Sequence, residues 1–142
     1  MELSAELKAA FDAHATDGFN FWKDNSTPEQ RAVGAAELDR FATDEEFKNG
    51  MTAFMATAFA EADADNDGLL NAAEYAVFLK RVQNDGASRG NFEDDRPETP
   101  AAQWALLNQI TPGAEGITMS DFFVGVGTMM ALNMEMKAAA GL

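Results

Sequence analysis

The sequence predicts an all-α protein of about six helices, and two observations carry that prediction. Val and Ile are scarce while Ala, Leu, Met and Glu are abundant, the composition of a helix former. Helix-start signals also recur along the chain, each followed by apolar residues at three- and four-residue spacing. The 142 residues, 46 % apolar with 11 Phe and 2 Trp, suffice for one domain or two small lobes sharing a core. Such a composition excludes a disordered polyelectrolyte.

Ser4 caps a first helix whose stripe runs Leu3, Leu7, Phe11, His14, Gly18 and then Phe21 or Trp22. His14 on that stripe reads as a partly buried core residue rather than a metal ligand. Thr27, Pro28 and Gln30 form a capping box with proline at the first helical position, opening a second helix to about Phe41. Residues 1–42 thus read as a helix pair, or as a worn-down helix–loop–helix unit around residues 12–23. Thr43 followed by Glu46 is a further box, starting a third helix with Phe47, Met51, Phe54, Met55, Ala58 and Phe59 inward. A fourth helix after residue 74 turns Tyr75, Phe78, Leu79 and Val82 to one face. Residues 84–99, rich in Gly, Asp and Glu, read as a mobile linker. Thr99-Pro100 opens a fifth helix with Trp104, Leu107 and Ile110. A sixth runs from about Ser120 with Phe122, Phe123, Val126, Met129, Met130 and Met134. Two helix–loop–helix units, 43–83 and 100–142, therefore follow the N-terminal pair.

The net charge of −14 is spread over the whole chain, with acids outnumbering bases in every third. No basic stripe exists, so nucleic acid and anionic membrane surfaces are excluded as direct partners. A metal cation or a basic peptide would be attracted. Cysteine is absent, which removes disulfides, thiolate catalysis and thiolate zinc sites. With one His and no Gly-rich phosphate loop as well, no enzyme activity is expected. The N-terminal stretch lacks a basic segment and an apolar segment, Glu2 stands where myristoylation needs Gly, and no apolar run could span a bilayer. A soluble, cytoplasmic protein is the expectation, and the sequon Asn25-Ser26-Thr27 then marks only a turn.

Residues 63–74, "DADNDGLLNAAE", concentrate the chemistry. Hard divalent cations take oxygen ligands, and calcium accepts six to eight of them in a flexible shell. Positions 1, 3, 5, 7, 9 and 12 of this stretch offer Asp63, Asp65, Asp67, the Leu69 carbonyl, Asn71 and Glu74. Gly68 at position 6 permits the sharp turn. Asn71 is also placed to cap the next helix, with Glu74 completing its box. Without a cation these carboxylates face one another unscreened.

With its apolar flanks at Met51, Met55, Phe59, Tyr75, Phe78, Leu79 and Val82, this stretch resembles the EF-hand calcium-binding superfamily, including calmodulin-like and small sarcoplasmic-type members. The resemblance implies one calcium ion per chain, with magnesium as a competitor. It also implies a second hand joined through a short antiparallel β-bridge. Residues 110–121, "ITPGAEGITMSD", fit that role with Ile117 opposite Leu70, but Ile110, Pro112 and Ala114 stand at ligand positions, so this hand reads as degenerate and ion-free. The family also implies a sensor that binds a target protein helix through a Met- and Phe-rich surface. The alternative is a buffer or metal-stabilised module without regulated opening.

Overall fold

The computed structural model describes residues 3–142, and these fold into six helices: α1 (Ala5–Asn25), α2 (Pro28–Thr43), α3 (Glu45–Ala62), α4 (Ala72–Ser88), α5 (Thr99–Leu107) and α6 (Met119–Ala139). None of them is long and apolar enough to cross a membrane.

Local chemistry accounts for most boundaries. The Ser4 hydroxyl accepts from the Leu7 amide at the start of α1, and Thr27 with Gln30 forms a reciprocal box at the start of α2. The residues 12–23 lie wholly inside α1, so no loop of the helix–loop–helix kind exists in the N-terminal pair. Thr43 does not open α3. Its hydroxyl bonds back to the Asp39 carbonyl as the last residue of α2, and Asp44 both ends that helix and caps the next, accepting from the Phe47 amide at 3.2 Å. Asp outcompetes Thr because its carboxylate also meets the positive end of the helix dipole.

The linker is shorter than residues 84–99, because α4 continues through Ser88. Side chains strap down the segment between α4 and α5. Arg89 reaches Glu37 on α2 at 2.9 and 3.0 Å, and Lys80 reaches Glu93 at 2.7 Å. Arg96 binds Asp94 and Asp17 and lies over the Phe21 ring, 4.0 Å from its centroid. Composition registers the polar residues of this stretch but not the partners, distant in sequence, that hold it.

The core lies where the two helix–loop–helix units meet the inner face of α1. Phe78 on α4 stands edge-on to both Phe59 on α3 and Phe122 on α6, with centroid separations of 5.8 and 4.7 Å. Phe11, Tyr75, Phe78, Leu70, Leu107 and Ile117 are fully buried. Gly125 on α6 lets Leu107 of α5 close against it, since a Cβ there would overlap the leucine methyl.

Between the loops, Leu70 and Ile117 face each other as an isolated antiparallel pair. Their amides and carbonyls exchange hydrogen bonds of 2.9 and 3.0 Å, and the Trp104 indole N–H donates to the same Leu70 carbonyl at 2.9 Å. Gly116 makes the approach feasible: a Cβ at that position would lie 2.7 Å from the Leu70 carbonyl oxygen. Both buried backbones are thus satisfied where neither loop could satisfy itself.

Candidate metal centre

The loop 63–71 leaves α3 through Asp63, whose amide still bonds to the Phe59 carbonyl at 3.1 Å. A turn closes from the Asn66 amide to the Asp63 carbonyl, with Asn66 at φ 56° and Gly68 at φ 81°. Two residues in the left-handed region fold the chain back sharply, which Asn tolerates and Gly adopts without cost. Open space surrounds Gly68, so conformation rather than crowding selects it.

This turn converges three carboxylates. Asp63, Asp65 and Asp67 each offer an oxygen, and these atoms lie within 4.8 Å of one another. Asp67 Oδ1 accepts from the Leu69 amide at 2.9 Å, and that bond holds the Asp67 carboxyl below its ordinary pKa. Asp65 moves the other way. Partial desolvation, then the closeness of the Asp63 and Asp67 carboxylates, raises its pKa. The two neighbours are driven apart because clustered carboxylates resist ionising together.

Asp63 is the most shielded of the three, 9 % exposed. Its Oδ2 accepts from the Gly68 amide at 2.9 Å, while its Oδ1 is buried and has no hydrogen-bond partner among the described residues. A buried carboxylate oxygen without a donor is costly, and a hard cation supplies what the protein does not. The donor set, all oxygen and no sulfur or imidazole, fits an alkaline-earth ion better than a soft metal.

The other three predicted residues sit differently. Glu74 ties the two ends of the loop together, its Oε1 accepting from the Asn71 amide at 3.0 Å and its Oε2 from the Ala64 amide at 2.9 Å. Asn71 caps α4, accepting from the Glu74 amide at 2.9 Å. Leu69 is half-buried next to the paired Leu70. The structure thus gathers three carboxylates into one cluster and sets Asn71 and Glu74 at its border as capping groups.

The loop before α6 contrasts with this one. Asp121 is 4 % exposed, and both its oxygens are served by the protein: Thr111 Oγ1 donates at 2.7 Å and the Thr118 amide at 3.1 Å. A hydroxyl and an amide thus leave neither Asp121 oxygen without a donor. Thr111 leaves no mark in the sequence as the partner of Asp121, because nothing in the linear pattern pairs a threonine with an acid ten residues on. Trp104 was seen only as an apolar residue, although its indole N–H adds a third hydrogen bond at the loop pair.

No family model, no curated protein and no solved structure matches this chain.

Proposed function

We propose that this chain is a calcium-binding protein of the EF-hand type, with one working ion site in residues 63–74 and an ion-free partner loop at 110–121. The observation that carries the reading is the buried, unpartnered Asp63 Oδ1 within a group of three converging carboxylates. Asp63, Asp65 and Asp67 would hold the ion, with the Leu69 carbonyl, Asn71 and Glu74 completing the shell. Bound there, the ion neutralises the repulsion inside the loop and fixes α3 relative to α4. The Leu70–Ile117 pair supports reading the two loops as coupled hands. Asp121, already satisfied by Thr111 and the Thr118 amide, supports an ion-free second loop.

A calcium sensor is the role favoured, and the placement of the methionines is what favours it. Met55 fills the core, but Met51 on α3 and Met129 and Met130 on α6 also line a cleft at its edge, and such polarizable side chains suit a surface that repacks. An ion that reorients α3 moves one wall of that cleft and opens it toward a target helix. A constitutively filled, fold-locking site is the second reading. It is supported by the short supply of free apolar surface, since among the large hydrophobic residues described only Val77 and Leu142 are exposed.

Titration calorimetry tests the site. One calcium ion per chain is expected, lost in Glu74→Gln and in Asp63→Ala, and two ions or none would overturn the reading. Near-UV circular dichroism and hydrophobic-dye emission along the same titration separate the roles. A spectral change with rising dye emission marks a sensor, and a spectral change without it marks a structural module.

A further inference from the structure

We propose that the cleft between α1, α2, α3 and α6 is a binding site for a small, uncharged, largely aromatic molecule, anchored by His14 and Asn133. This inference stands on the cleft alone and does not depend on the metal reading.

The cleft encloses about 440 Å³, within the range of small-molecule pockets. Phe19, Trp22, Phe41, Met51, Met129 and Met130 supply apolar walls, and His14, Gln103 and Asn133 are polar groups facing the same space. In the form described here, before any opening of its α3 wall, a cleft of this size takes a single organic molecule.

The polar groups are prearranged. Tyr75 is fully buried on α4, and burial pushes its pKa up, so its hydroxyl keeps its proton and donates to Gln103 Oε1. The Gln103 amide nitrogen must then donate to His14 Nε2, at 3.2 Å, which leaves the imidazole proton on Nδ1. Burial also lowers the His14 pKa and keeps the ring neutral.

Charges around the cleft are already spent on one another. Arg96 holds Asp94 and Asp17, Lys137 holds Asp39, and Glu37 holds Arg89. Among the described residues every charged side chain lining the cleft is thus in an ion pair, and the excess of carboxylates in those pairs, like the overall charge of −14, disfavours an anion. Gly18 points the same way. A glycine inside a helix weakens it, yet an added Cβ at Gly18 would meet nothing within 4 Å. The space it leaves belongs to the cleft.

The test uses the full chain in chelator, titrated with N-phenyl-1-naphthylamine and, separately, with its anionic sulfonate 8-anilinonaphthalene-1-sulfonate, each followed by emission. Saturable binding of one neutral dye per chain is expected, at least tenfold tighter than the sulfonate. Gly18→Leu, which extends into open space and strengthens the helix, should weaken it at least tenfold. Val77→Ser, at an exposed apolar residue on α4, should leave it unchanged. Non-saturable binding, equal affinity for both dyes, an unaffected Gly18→Leu variant, or complete displacement by an amphipathic helical peptide would each overturn the proposal.

Discussion

Replacing Asp63 by Asn should change the protein's stability in opposite directions depending on calcium. In the free protein the carboxylate carries one buried oxygen without a donor, and such a group costs about 1–3 kcal/mol. An asparagine keeps the bond to the Gly68 amide, now 2.9 Å long, through its own oxygen. Its NH₂ replaces the orphan oxygen and can donate to the carboxylates beside it. A net gain of about 1 kcal/mol follows, or roughly 3 °C in melting temperature for a chain of this size. With calcium at a hundred times its dissociation constant, the wild type gains about 2.7 kcal/mol, or roughly 8 °C, while the variant has lost a charged ligand and gains little. Scanning calorimetry in chelator and in calcium should therefore show the order of melting reversed, the variant higher in the first and the wild type higher in the second. An Asp63→Asn protein that melts lower in chelator, or that gains as much from calcium as the wild type, would refute the reasoning.

Three further outcomes are expected from the same structure. Gly116→Ala places a Cβ 2.7 Å from the Leu70 carbonyl oxygen and 3.1 Å from the Leu69 Cβ, so the loop pair must separate. Urea unfolding should show a loss of about 1–3 kcal/mol, and calcium affinity should fall with it. Asp121→Ala strips the Thr111 hydroxyl and the Thr118 amide of their acceptor and removes the reciprocal cap of α6. It should cost about 2–3 kcal/mol by denaturant midpoint yet leave the calorimetric stoichiometry at one ion. His14 has a pKa below 6.5, chiefly because burial disfavours its charged form, with Asp17 and Asp94 opposing and Arg96 adding to the effect. Above 6.5 the ring is neutral in both states; below it the unfolded chain binds a proton that the folded chain resists, so stability is lost as pH falls toward the folded pKa. The urea midpoint should drop as pH falls below about 7, and His14→Gln should flatten that drop.

The helices were legible because their signals are local. Ser4, Thr27 with Gln30, Asn71 with Glu74 and Thr118 with Asp121 all cap the helices they precede, each bond spanning three residues. The error at Thr43 shows the limit of such signals. Two adjacent residues both offered a cap, and the choice rested on how far α2 continued, which its packing against α3 and α6 also influences. The three-aspartate cluster was legible for the same reason, since alternate positions on one tight turn need no distant partner to converge.

The sequence alone determined the all-helical architecture, the six elements and the loop on which three aspartates converge, because capping, periodicity and turn chemistry act over a few residues. Only the tertiary structure decided that Asp63 keeps a buried oxygen unserved, that Thr111 satisfies Asp121, and that Trp104 donates to the paired loops. It alone brings Tyr75, Gln103 and His14, from α4, α5 and α1, into one hydrogen-bonded chain at the cleft. Those contacts join residues up to 89 positions apart, and a partner that is chosen by how helices pack leaves no periodic trace in the chain.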